Sequence, residues 1–205
     1  FLTTVFIIGS YNATFWAIGA DVFRGHPMSF AGYMAAVFFL ALAAFSMFAF
    51  PYIAKPCLAF LVILSAVTSY YMDTLGVVVD RDMIQNIMAT TFSESKHLIT
   101  FGFVSHVLIK GVLPAAIILS IRIIRQGPVR TRVWPIAAVF ISLSLTFGFL
   151  MADLKSYASI LRERKDFMSS LQPLAPIVGA IRYGRMMSRA VNVVVQPIGE
   201  DAKKG

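Results

Sequence analysis

Asn86, Thr90 and Glu94 stand four residues apart in the stretch DRDMIQNIMATTFSE, Asp80 to Glu94, between two long apolar tracts. At about 100° per residue a step of four drifts by only about 40°. On one helix the three side chains would therefore share a stripe of about 80° of arc and about 12 Å of rise. The stripe offers an amide, a hydroxyl and a carboxylate. That set suits a zwitterionic headgroup: the carboxylate pairs with an ammonium, while the amide and hydroxyl donate to phosphate or ester oxygens. Ile84, Ile87 and Met88 point elsewhere on the same helix, toward a bundle or lipid. A plainer reading stays open, in which the three residues face water on an interfacial helix. If Ser93 caps a new helix with Lys96 in its first turn, Glu94 leaves the line.

The surroundings of this stripe are lipid-like. Of 205 residues, 58% are hydrophobic and only 14% charged, whereas soluble domains run nearer to about one quarter charged. A soluble chain of this size could not hide so much apolar surface. The net charge of +8 is concentrated outside the apolar runs, which fits anionic headgroups and a topology signal rather than nucleic acid. Cys57 is alone and lies in an apolar run, so it reads as packing. His26, His97 and His106 have no metal-ligand spacing with carboxylates or thiols. There is no Gly-rich phosphate loop, nucleophile elbow or internal repeat.

Apolar runs near the roughly 20 residues a transmembrane helix needs occur at Phe1–Ala20, Met28–Phe50, Cys57–Met72, Phe101–Ile124 and Val133–Met151. The expected fold is an all-α membrane protein with five transmembrane helices plus short periplasmic amphipathic helices. Residues 1–152 form the transmembrane domain, with a helical insert at about 73–100 holding two short helices. Residues 153–205 form bridging helices and a linker. Gly111 and Pro114 mark a bend or restart in the fourth span. In the tail, LKSYASILRERKDFMSSL reads as an amphipathic helix lying on the membrane surface. Pro173 and Pro176 break it, and Arg182, Arg185 and Arg189 line one side of a second helix. The start at Phe1 suggests that the natural N-terminus lies further upstream.

The short turns after the second and fourth spans carry Lys55, Arg122, Arg125, Arg130 and Arg132 and no acid. The opposite connections carry Arg24, Arg81, Lys96 and Lys110 against Asp21, Asp73, Asp80, Asp82 and Glu94. The first set is therefore cytoplasmic. The stripe and the tail lie outside, in the periplasm of a Gram-negative inner membrane.

The stretch YYMDTLGVVVDRDMIQNIMATTFSESKHLIT resembles the segment after the third span of lipid A phosphoethanolamine transferases, the family that includes the mobile colistin-resistance enzymes. The run D-R-x-M-I-x-N-I, then T-T and E-S, carries the likeness. SYASILRERKDFMSSLQP and GEDAKKG are similar to that family's bridging segments, although Glu163 stands where an Asn is common. The resemblance implies transfer of phosphoethanolamine from phosphatidylethanolamine to a lipid A phosphate, which blunts cationic peptides such as polymyxins. It implies a phosphorylated Thr beside zinc in a periplasmic catalytic domain, expected beyond Gly205, with no metal or catalytic residue in this chain. The chain alone should not turn over. The resemblance also assigns Asn86, Thr90 and Glu94 to donor-lipid binding. The expected partners are phosphatidylethanolamine, lipid A, membrane lipids and the protein's own catalytic domain, with no nucleic acid.

A heptose or protein acceptor within the same family is an alternative. A small transporter or channel subunit is a more distant one, disfavoured because no span carries a paired charge. The orientation is testable. Single cysteines replacing Arg130 and Lys203, in a chain whose Cys57 is removed, should react with an impermeant maleimide from opposite sides of the membrane. Labelling of both from one side contradicts the charge-based topology.

Overall fold

The computed structural model describes residues 1–50, 52–90, 96–122 and 127–191, and all regular structure among them is helical. Among the described residues, four helices are long and apolar enough to cross a membrane: α3 (Pro27–Ser46), α4 (Ala54–Leu75), α6 (Phe101–Ser120) and the Val133–Ala152 portion of α7 (Pro128–Ala152). Their outward faces carry Phe60, Ile109, Ile117, Phe140 and Phe147, all exposed, as expected of side chains solvated by lipid.

α3 and α7 pair antiparallel. Ser29 at the start of α3 donates to the Asp153 carboxylate just past the end of α7, and the Phe39 and Phe149 rings stack at 5.9 Å further along. α4 and α6 form a second antiparallel pair. Tyr70 meets Thr100 at one end, 3.1 Å between hydroxyls, and Lys55 donates to the Leu119 carbonyl at the other, 2.9 Å. The starts of α3 and α6 and the ends of α4 and α7 thus share one end of the bundle, which the remaining helices cap.

The first apolar run is not one helix. It divides into α1 (Leu2–Ser10) and α2 (Ala13–Val22). α1 rises only about 13 Å, and Phe1 packs edge-on against Phe38, midway along α3. The break has a specific cause. Asn12 turns its amide back onto the Ile7 carbonyl, 3.1 Å, and a side chain that takes a backbone acceptor kinks a helix. The Tyr11 hydroxyl donates to the Lys110 carbonyl on α6. α2 then joins the cap instead of continuing through the bundle.

α6 changes register along its length. Residues Val107–Val112 wind as a π-helix between two α segments. Pro114 has no N–H to give the preceding turn, and the carbonyl four residues back, Lys110, is the one that takes Tyr11. The proline therefore re-registers the helix without breaking it.

The tail forms α8 (Leu154–Glu163), α9 (Lys165–Ser169) and α10 (Leu174–Val191). Its apolar face, expected to rest on lipid, packs on protein. Tyr157 and Phe167 are fully buried among Phe15, Phe23 and Tyr33, with Ile160, Leu161 and Met168 against the same cluster. Phe15 and Phe167 stack at 4.6 Å, 5° from parallel, and the Tyr157 hydroxyl donates to the Ser29 carbonyl, 3.0 Å. Aromatic α2 offers a better-matched surface than acyl chains, because ring pairs add to area burial. Pro176 sits in the first turn of α10, where a missing N–H is harmless; the tail is interrupted at Arg164, which splits the expected single amphipathic helix into α8 and α9, and at the Ser170–Pro173 bend.

Gln172 anchors that bend. Its side chain is fully buried. Its N–H donates to Asn12 Oδ1 (2.7 Å), its carbonyl accepts from Asn12 Nδ2 (3.2 Å), and its Oε1 accepts from Thr68 Oγ1 (2.7 Å). Removing one partner leaves buried polar groups unsatisfied, at about 1–3 kcal/mol each. Asn12→Leu should therefore lower thermal stability in detergent and speed proteolysis of the tail. An unchanged melting profile with an unchanged nicking rate would rule out this role for the pair.

Candidate functional site

α4 stops where Gly76 takes a left-handed conformation, φ +66°, a backbone shape that suits glycine. A short irregular segment follows, in which the Asp80 N–H donates to the Val78 carbonyl at 3.0 Å. Asp80 then caps α5 (Arg81–Ala89), its carboxylate accepting from the Asp82 and Met83 N–H groups at 3.0 and 2.9 Å. α5 is strongly amphipathic in sequence; Gln85, Asn86 and Thr90 are exposed, and so are the apolar Ile87 and Met88.

The structure bears on the expected stripe at two of its three positions. Asn86 lies in the last turn of α5 and Thr90 immediately after it. Thr90 is extended, φ −78° and ψ 134°, so the helix does not carry all three residues in one register. The cause is local. The Thr90 hydroxyl bonds back to the Asn86 carbonyl at 2.6 Å, alongside its own N–H at 2.9 Å. A β-branched residue that captures the last-turn carbonyl favours termination. Asn86 and Thr90 remain adjacent at the helix end. Glu94 lies outside the described residues, as does Ser93. Where the described residues resume, the insert closes with one turn of 3-10 helix, Lys96–Leu98. The Tyr71 hydroxyl donates to the Leu98 carbonyl at 3.4 Å.

α5 is held by α10. At Gly179 the helices approach so closely that a Cβ would stand 2.8 Å from the Asp80 carbonyl carbon and 3.1 Å from the Arg81 nitrogen. Beside this crossing lies a groove of about 230 Å³, floored by Met168, Leu174, Ala175 and Val178, with Arg81 and Arg182 at its rim. Arg81 is engaged by Asp82, Nε to Oδ1 at 2.7 Å, and Arg182 is exposed. Asp80 and Ser169 also line the groove, so its apolar floor is bordered by charges of both signs. Sequence reading missed Gly179 because a helix–helix crossing leaves no local pattern. It did find Arg182, as one of the three basic residues along α10.

Near the start of the tail, hydrogen bonds from Ser29 and Ser156 hold the Asp153 carboxyl below its usual range. Among the described residues, no three His, Cys, Asp or Glu side chains converge as a metal centre would require.

With this geometry in view, the similarity to known proteins is informative. Residues 37–187 match the family model of phosphoethanolamine transferase EptA/EptB. The chain belongs to this family. It is 31% identical to phosphatidylethanolamine transferase Mcr-2 of Escherichia coli over 183 residues, 86% of this chain and 33% of that protein. To Mcr-1 of the same species it is 32% identical over 126 residues, 62% of this chain and 23% of that protein. It is also 32% identical to phosphoethanolamine transferase EptA of Salmonella typhimurium, over 70% of this chain and 26% of that protein. The chain thus spans between a quarter and a third of the length of these relatives. The structure superposes on the integral membrane lipooligosaccharide phosphoethanolamine transferase A of Neisseria meningitidis with a TM-score of 0.85, at 21% identity, covering 96% of this chain and 39% of that one. The fold is accordingly that of a multi-pass membrane region of a phosphoethanolamine transferase.

The α5–α10 crossing can be tested directly. Gly179→Val should force the helices apart and raise amide hydrogen exchange across Arg81–Ala89, while the α3–α7 pair stays protected. Unchanged protection of α5 would mean that another contact holds it.

Proposed function

We propose that this chain is the membrane domain of an enzyme that moves phosphoethanolamine from phosphatidylethanolamine to a lipid A phosphate. In this reading residues 1–152 anchor the protein in a Gram-negative inner membrane. They cross it through α3, α4, α6 and α7, with α1 against the bundle and α2 in the cap, and the capped end faces the periplasm. Residues 153–205 bridge to a catalytic domain that carries the nucleophile and zinc. The chain alone does not turn over. The enzyme's effect is to mask lipid A charge against cationic peptides such as polymyxins. Family membership and the names of the relatives support the reaction class.

The observation that carries the donor-lipid role is the exposed end of α5, pinned on α10 beside the bundle, with Asn86 and Thr90 adjacent. Asn86 donates to phosphate or ester oxygens of phosphatidylethanolamine, and Thr90 does so by exchanging its hydroxyl bond to the Asn86 carbonyl for one to the lipid. Glu94 takes the ammonium, and its negative charge discriminates against phosphatidylglycerol. Arg182, at the mouth of the neighbouring groove, adds a cation for the phosphate.

Charge-assisted hydrogen bonds contribute about 1.5–3 kcal/mol. Glu94→Gln should therefore weaken phosphatidylethanolamine binding about tenfold or more and relax headgroup selectivity. Asn86→Ala and Thr90→Ala should weaken it less. Lipid competition in nanodiscs, read by native mass spectrometry on folded variants, measures this. In the longer protein the same change should slow transfer from the lipid donor while hydrolysis of a small soluble phosphodiester survives. Unaltered affinity and selectivity in Glu94→Gln would make the α5 end a solvated face.

A further inference from the structure

Lys110 is the tenth residue of α6, an exposed cation in an otherwise apolar helix. A charge at such depth is rare unless it serves a site. Its position in the bundle is well marked. One turn toward the capped end, His106 packs against Tyr70, ring centres 5.3 Å apart, and Tyr70 meets Thr100 at the end of the pair. In the other direction Leu119 lies nine residues on, where Lys55 marks the far boundary. That distance is about 13 Å, close to half of a hydrocarbon core about 30 Å thick.

Two features present the Lys110 side chain rather than bury it. The π-helical turn Val107–Val112 widens α6 at this point, and such turns occur frequently at functional sites. The Lys110 backbone is pinned by the Tyr11 hydroxyl on its carbonyl. Helical side chains lean toward the helix N-terminus, which for α6 is the capped end. The ammonium therefore rises toward the boundary marked by Tyr70 and leaves the space below it to apolar groups.

That space is a groove of about 520 Å³ between α1 and α6, walled by Leu2, Phe6, Leu113, Ile117 and Ile121, with Ser10 beside Lys110. Among the described residues that line it, Lys110 is the only charged one. Among the described residues the ion pairs are Arg24–Asp21 and Arg81–Asp82, so no described carboxylate neutralises Lys110.

We infer that the α1–α6 groove is a binding site for a net-anionic phospholipid, its phosphate on the Lys110 ammonium and one acyl chain between α1 and α6. Charge complementarity selects the headgroup class. A zwitterionic lipid brings its own ammonium, and the groove has no carboxylate to receive it. The groove runs about 13 Å below Lys110, so a lipid entering from the boundary marked by Tyr70 is drawn inward and its chain reaches past the midplane. This site is separate from the end of α5 and has the opposite charge preference, so it stands or falls independently of the donor-lipid reading.

The test uses the intact protein in nanodiscs with a trace of phosphatidylglycerol carrying a diazirine on its acyl chain. After photolysis, adducts are mapped by peptide mass spectrometry. They should concentrate on Phe6, Leu113 and Ile117. Unlabelled phosphatidylglycerol should compete about fivefold better than phosphatidylethanolamine, the effect of about one cation at a lipid surface. Lys110→Met should abolish that preference and Lys110→Arg retain it. Ile117→Trp, which fills the groove and leaves Lys110 in place, should reduce the adducts. The inference is overturned if adducts spread evenly over lipid-facing helices, if Ile117→Trp leaves their yield unchanged, or if the preference survives in Lys110→Met.

Discussion

The paired hydrogen bonds between Asn12 and Gln172 are the constraint on which the rest of this molecule depends. They join residues 160 positions apart through two bonds, and Thr68 adds a third from α4. Each group satisfies another that would otherwise be stranded away from water. The turn between α1 and α2, the bend between α9 and α10 and the wall of α4 meet at this point. Because Gln172 fixes where α10 starts, it also fixes where Gly179 crosses α5. The position of Asn86 and Thr90 is thus set from the far end of the chain.

The cap built around this knot is aromatic where the bundle is aliphatic. Phe15, Phe23, Tyr33, Tyr157 and Phe167 form one ring cluster drawn from α2, α3, α8 and α9. Ring packing gives directional contacts that lipid tails do not. This difference explains why the amphipathic tail settles on protein although its composition suits a membrane surface equally well. The α4–α6 pair solves a different problem. Pro114 removes a donor, the π turn shifts the register, and the freed Lys110 carbonyl is taken by Tyr11. A backbone acceptor at membrane depth needs a partner, and here it comes from a neighbouring helix.

Much of the architecture was legible in the residues. Composition made the chain a membrane protein, and apolar run lengths located α3, α4, α6 and α7 to within a few positions. The motif around Asp80–Glu94 pointed to the family that the comparisons bear out. Periodicity misled at Phe1–Ala20, where twenty uncharged residues read as one span. The break there depends on what Asn12 bonds, and its partner lies in the tail. Periodicity also extended α5 beyond Ala89, because an angular argument cannot register a hydroxyl that closes onto the preceding turn.

The sequence alone therefore determined the solvent, the class of fold, the approximate spans and the residue types gathered near one boundary. These follow from transfer free energies and helix geometry, which act on each segment by itself. Only the tertiary structure decided which apolar faces meet lipid and which meet protein, where helices break, and which residues gather at one place. Those outcomes turn on pairings between distant residues: Gln172 with Asn12, Gly179 with Asp80, Tyr11 with Lys110. No local pattern encodes such pairings, because each residue has the same neighbours in the chain whether or not its partner is present.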